Sequence, residues 1–194
     1  MLIFYKVSQV VIILLFAFFV SDLRKKNQTK ELLNHKLIIV MKIVYIIPLA
    51  IFLYSVITTE ALLVTDFISF LLTLIGLVVV ILAKSSLGIN HSWTGYGTFP
   101  KSICKKGIFS IIRHPMYTGI FMCILGMWFH VISHQNVLLI IINLISSFFI
   151  LFVLTSSAIK EEQHLSSLFG EDYEEYERCV PRFFPIKITK KDLE

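Results

Sequence analysis

Five long apolar runs govern what this chain can fold into: residues 2–20, 37–57, 61–83, 116–132 and 137–158. A helix needs about 20 residues to cross the hydrocarbon core of a bilayer. Inside that core every backbone N–H and C=O must be satisfied within the segment, so such runs read as spanning helices. Only 16% of the residues are charged, against about 25% in soluble domains. The first run lacks the basic leader and small-residue cleavage site of a signal peptide, and Phe16, Phe18 and Phe19 crowd its end. Pro48 is expected to kink the second run, and Asp66 stands near the start of the third. Segments 58–60 and 133–136 are short enough to close two helical hairpins. The expected fold is all-α: a polytopic integral membrane bundle of about five transmembrane helices, with a helical C-terminal extension on the cytoplasmic side.

The basic residues orient the bundle. Of 18 Lys and Arg, 16 fall in segments 21–36, 84–113 and 159–194, which share one side if there are five spans. By the positive-inside rule that side is cytoplasmic and the N-terminus is outside. The net charge of +5 then reflects topology and attraction to anionic membrane lipids. Nucleic-acid binding is excluded as a reading, because the charges flank spans and form no single patch. Cys104, Cys123 and Cys179 are odd in number and scattered, so no zinc or disulfide framework is expected. Cys123 shares a helical face with Gly119 and Gly126, a pattern of close helix packing.

No repeat or low-complexity linker divides residues 1–194, which read as one domain. Segment 1–83 looks like helical scaffold with few polar side chains, and segment 84–194 holds the chemistry. The connector 84–112 carries Gly88, Gly95, Gly97, Pro100 and Gly107, interleaved with His91, Ser92, Trp93, Tyr96 and Phe99. That mixture suits an interfacial lid, a small-molecule pocket or an aromatic belt. The tail begins as a helix continuing the fifth span, with Ser157, Glu161, His164 and Leu165 on one face. Gly170 stops it, 172–178 can form a further turn or two, and Pro181 and Pro185 impose an extended end. No polar segment reaches the roughly 100 residues of a soluble nucleotide-binding domain. Any nucleotide-like cofactor must therefore sit between the membrane helices and their extensions.

Two polar motifs stand at the expected membrane edge, one helical hairpin apart. The first is Gly107-x-Phe109-x-x-x-Arg113-His114-Pro115-x-Tyr117-x-Gly119. The second is Glu161-Glu162-x-x-Leu165-x-x-x-Phe169-Gly170-x-x-Tyr173-x-x-Tyr176-x-x-x-Val180-Pro181, followed by Pro185. In this order and separation they resemble the isoprenylcysteine carboxyl methyltransferases, within a superfamily that includes the phospholipid methyltransferases. The resemblance spans roughly residues 84–188. It implies S-adenosyl-L-methionine as methyl donor, S-adenosyl-L-homocysteine as product, and a site at the cytoplasmic face. It also implies a prenylated, lipid-like acceptor entering from the bilayer. Carried over by position, the cofactor touches Lys101, Ser102, Ile103, Cys104, Phe109, His114, Pro115, Met116, Tyr117 and Glu161. Ser157 stands where eukaryotic members carry a basic residue for substrate.

The residue types fit that chemistry on their own terms. Methyl transfer to a carboxylate uses a nucleophile already ionised at neutral pH and needs neither a metal nor a strong base. Arg113 is a candidate catalytic residue, a planar donor able to hold a carboxylate, or else a snorkelling membrane anchor. Glu161, the second catalytic candidate, can bind the cofactor's amino group or ribose hydroxyls, or be a solvated carboxylate at a helix exit. Glu162 reads more readily as solvated. His114 can bond the cofactor's carboxylate or be a satisfied interfacial histidine. Tyr117 reads as pocket wall, and Pro115 leaves backbone groups at the helix start for a ligand to satisfy. Three competing readings remain: methyl transfer to a phosphatidylethanolamine-type amine, an NADPH-dependent enzyme of the sterol-reductase type, and a non-catalytic scaffold.

Overall fold

A computed structural model describes residues 1–21, 29–87 and 94–185. Gly88, His91, Ser92 and Trp93 lie outside the described residues, as do Arg24, Lys25, Lys26, Lys187, Lys190 and Lys191. The elements are α1 (Leu2–Val20), β1 (Thr29–Glu31), α2 (His35–Val44), α3 (Ile46–Thr58), α4 (Val64–Leu87), β2 (Tyr96–Thr98), a 3-10 turn (Gly107–Ser110), α5 (Pro115–His134), α6 (Val137–Phe169) and α7 (Glu171–Cys179). Five spans are long and apolar enough to cross a membrane: α1, α2 with α3, α4, α5 and α6. Phe4, Phe67, Ile145 and Phe152 are among many large apolar side chains on the outside of the bundle, as expected where the solvent is hydrocarbon. The protein is thus a multi-pass membrane protein.

The second span is two helices. Pro48 has no N–H to give the Val44 carbonyl, and its ring crowds that carbonyl. The break accordingly falls between Val44 and Ile46. Asn34 starts α2 by accepting from the Lys36 N–H at 2.9 Å. Asn136 starts α6 by accepting from the Leu139 N–H at 3.0 Å. That cap lets α6 begin with only Gln135 and Asn136 between it and α5. The fifth span does not stop with its apolar run; with no breaker before Gly170, α6 runs on to Phe169.

Helices α4 and α5 approach almost backbone to backbone. A Cβ added to Gly76 would lie 2.6 Å from both the Gly119 carbonyl and Cys123 Sγ, and one added to Gly126 would lie 2.9 Å from the Ser69 carbonyl. The expected packing role of Gly119, Cys123 and Gly126 is what the structure contains, with Gly76 as the partner across the seam.

Two features add to the all-α bundle expected. A short two-stranded ladder pairs β1 with β2, Lys30 opposite Gly97, beside the helices. The first three spans are also more than apolar scaffold: Gln9, Ser55, Asp66, Ser69 and Thr73 are buried inside them. Their polar groups meet, as when the Thr73 hydroxyl donates to Gln9 Oε1 at 3.0 Å, an arrangement that no single span's composition discloses.

Candidate active site

One end of the bundle holds a cavity. Its wall comes from the ends of α1 and α4, the connector 94–109, the first residues of α5, the α6 extension and α7. Of the residues expected from sequence, Ser102, Ile103, Cys104, Phe109, Arg113, His114, Pro115, Met116, Tyr117 and Glu161 all line it. Lys101 does not; it is exposed outside the cavity. His164 and Leu165 join the wall, whereas Ser157 is buried away from it.

The strand β2 is pinned over the α6 extension. His164 Nε2 lies 3.1 Å from the Thr98 carbonyl, and a Cβ on Gly97 would be 2.7 Å from the His164 ring. Only glycine lets the backbone pass that closely. On the other side, the Tyr176 hydroxyl donates to the Phe109 carbonyl at 2.6 Å and ties α7 to the 3-10 turn. Burial pushes the Tyr173 and Tyr176 phenols well above their ordinary range, so both stay neutral hydrogen-bonding groups.

The start of α5 is closed by the chain itself. Pro115 takes the first helical position, where its missing N–H costs nothing. The Arg113 N–H donates to the Pro181 carbonyl and the His114 N–H to the Arg182 carbonyl, both at 2.9 Å. The Thr118 hydroxyl donates to the Phe183 carbonyl at 2.6 Å. The two N–H groups just before α5, and the Thr118 hydroxyl in its first turn, are thus satisfied by a strap formed by residues 181–183. The sequence could not show this, because the strap's extended course, imposed by Pro181 and Pro185, does not fix where it docks.

Charges around the cavity divide into a paired set and a residual one. Glu162, 5% exposed, receives Arg182 in a fork: Nε at 2.9 and 3.0 Å, the terminal nitrogen at 2.6 Å. His114 Nε2 at 3.1 Å and Arg113 at 3.3 Å also face Glu162. Arg113 lies 2.5 Å from Glu177 as well. The hydrogen bond to Glu162 holds the Arg182 guanidinium even more firmly protonated than usual. Glu161 stands apart from these cations: it accepts from the Tyr117 hydroxyl, and the His114 Nδ1 lies 3.7 Å away. The His114 and Tyr117 rings stack in parallel, with centroids 5.5 Å apart. Arg113 Nε is buried without a hydrogen-bond partner among the described residues. Glu162, Glu177 and Arg182 were missed as site residues. Glu162 was visible beside Glu161, but only the fold-back of the strap buries it.

A helical membrane bundle with a carboxylate-bearing cavity at one end defines the class: a polytopic membrane protein with a site walled by its own helix extensions. Within that class, the chain belongs to the phospholipid methyltransferase family, whose model matches residues 64–172. The protein-S-isoprenylcysteine O-methyltransferase of Schizosaccharomyces pombe is 31% identical over 84 residues. That stretch covers 43% of this chain and 33% of the relative, so the chain's match spans about a third of the relative's length. Arg113, His114, Glu161 and Glu162 lie inside the family match, and Glu177 and Arg182 beyond it.

Proposed function

We propose that the protein is an S-adenosylmethionine-dependent methyltransferase acting on the carboxylate of a lipid-anchored, isoprenylcysteine-like acceptor at the cytoplasmic face. One observation carries this reading beyond the family. The same cavity is lined by a carboxylate with no Arg or Lys partner among the described residues, Glu161, and by a guanidinium with a spare buried donor, Arg113 Nε. A carboxylate without a guanidinium or ammonium partner and a guanidinium with one unused N–H, lining the same cavity, fit a cationic donor and an anionic acceptor.

The wall fits the cofactor. Glu161 would hold its amino or sulfonium charge, His114 its carboxylate, and Met116, Phe109 and Ile103 its apolar faces. S-adenosylmethionine supplies a methyl group electrophilic enough for an ionised carboxylate to take without a metal or general base. Tyr117 orients the Glu161 carboxylate through its hydroxyl. Arg113 Nε–H would turn the acceptor's carboxylate, while Glu162 and Glu177 hold the rest of the guanidinium still. Fixing reactants this way is worth about 7–11 kcal/mol of barrier in well-oriented reactions. The acceptor's prenyl chain stays in hydrocarbon as its carboxylate reaches the cavity.

Purified protein is to be tested with radiolabelled S-adenosylmethionine and NADPH, then with N-acetyl-S-farnesylcysteine and phosphatidylethanolamine as acceptors. Saturable binding of S-adenosylmethionine and methylation of the farnesylcysteine support the reading. In Arg113→Lys, cofactor binding should survive while turnover on that acceptor falls at least tenfold, since lysine lacks the planar fork. Methylation of phosphatidylethanolamine alone would transfer the function to an amine acceptor. Binding of NADPH alone would discard the reading entirely.

A further inference from the structure

At the bundle end away from the cavity, three chemistry-bearing side chains converge inside the protein. His130 and His134, four residues apart on one face of α5, meet Asp66 from the first turn of α4. His130 Nδ1 lies 2.6 Å from Asp66 Oδ1, and His134 Nε2 lies 3.0 Å from both Asp66 oxygens. All three donor atoms fall within 4.8 Å of one another. The Tyr5 hydroxyl of α1 adds a fourth, 3.0 Å from His130 Nδ1. Among the described residues, no Lys or Arg pairs with Asp66. A carboxylate within a membrane span is costly unless it has such a partner or a function.

The hydrogen-bond partners of His130 sharpen the case. The Thr59 hydroxyl gives its own proton to the Ser55 carbonyl at 2.8 Å. It can therefore only accept from His130 Nε2, which lies 3.4 Å away. With the proton on Nε2, the bare lone pair of Nδ1 points at the Asp66 carboxylate from 2.6 Å. Two lone pairs at that distance repel unless a proton or a metal cation lies between them. Metal-bound histidines characteristically hold their remote N–H in this way with a neighbouring oxygen. The Leu63 N–H, donating to Asp66 Oδ2 at 2.7 Å, orients the carboxylate similarly.

We propose that Asp66, His130 and His134 form a binding site for a zinc-class divalent cation, with the Tyr5 hydroxyl beside it as fourth ligand or outer hydrogen bond. Two imidazoles and a carboxylate are a donor set for zinc and its transition-metal neighbours and a poor one for magnesium. Tetrahedral bonds of about 2.0–2.1 Å place donors about 3.3 Å apart. The separations of 2.6 and 3.0 Å would need to open by less than an ångström. The His134 side chain is 12% exposed, against 0% and 2% for His130 and Asp66, so it offers the way in from the membrane surface. The bound ion would clamp α1, α4 and α5 at the end opposite the cavity. This proposal does not depend on the reaction proposed above.

The test uses untagged full-length protein in detergent, stripped with a chelator and titrated with Zn²⁺ by calorimetry, with metal analysis of the product. One Zn²⁺ per chain is expected, with a melting temperature raised by several degrees because the ion binds only the folded state. His134→Gln, at the accessible edge, should keep the fold, weaken Zn²⁺ at least tenfold and abolish the shift. His35→Gln, at an exposed histidine near the other end, should change neither. Co²⁺ should give the visible absorption of a tetrahedral N/O site. No stoichiometric binding by folded wild-type protein would make the cluster a proton-bound network and overturn the proposal. Binding that survives His134→Gln, or is lost in His35→Gln, would overturn it equally.

Discussion

Glu162→Gln removes the charge at the centre of the paired set while leaving its shape. Glu162 and Glu177 balance Arg113 and Arg182 there; the variant leaves two guanidinium groups facing one carboxylate. The Arg113 side chain is only 7% exposed and cannot rehydrate, whereas that of Arg182, at 37%, can turn outward. Removing one partner of a buried pair costs about 3–5 kcal/mol. Glu177 still holds Arg113 and water can recover Arg182, so the lower end, about 3 kcal/mol, applies. For a chain of this size that lowers the melting temperature by roughly 6–12 °C, at 2–4 °C per kcal/mol. Fluorescence-monitored melting in detergent reads this directly, with Glu175→Gln, on an exposed side chain, as the unchanged control. The double variant Glu162→Gln with Arg182→Gln should lose less than the sum of the single losses, because each removes the other's partner. Wild-type melting in Glu162→Gln, or strict additivity in the double variant, would refute the view that strap and helix are coupled through this carboxylate.

Glu161→Gln and His114→Ala should each weaken S-adenosylhomocysteine binding by about 1–3 kcal/mol, measured by calorimetry, as expected for a lost buried hydrogen bond to a charged group. Unchanged affinity in both would put the cofactor elsewhere. Gly76→Ala should destabilise by about 1–3 kcal/mol through overpacking, and Cys123→Ala should relieve only part of that, since the Gly119 backbone obstructs the same methyl; thermal denaturation checks both. Cysteine-accessibility labelling should find single cysteines at positions 30 and 178 on the same side of the membrane. Labelling from opposite sides would refute the five-span topology.

The apolar runs made the spans legible because a bilayer leaves a long uncharged segment few alternatives. The break near Pro48 and the stop at Gly170 were equally legible, each set by one residue's backbone chemistry. The first motif could be read because Arg113 to Tyr117 are contiguous and belong to one helix start. What escaped depended on contacts distant in sequence. Glu161 and Glu162 are neighbours whose side chains leave α6 about 100° apart, and only the return of Arg182 shows which one is paired. The i, i+4 spacing of His130 and His134 was visible in the sequence. Their meeting with Asp66 depends on the register of α4 against α5, which the contact of Gly76 with Gly119 sets.

The strap has a consequence for how the protein is made. Phe183 caps a hydroxyl 65 residues earlier in the chain, and Arg182 neutralises a carboxylate 20 residues earlier. Helices α5 and α6 can enter the bilayer as soon as they are synthesised. Until residues 181–183 emerge and dock, however, Glu162 lacks its forked partner and the N–H groups of Arg113 and His114 lack their acceptors. Insertion and maturation are therefore separate events. A ribosome stalled within α7 would leave a bundle already threaded through the membrane, with the α7 side of its cavity open and the strap undocked.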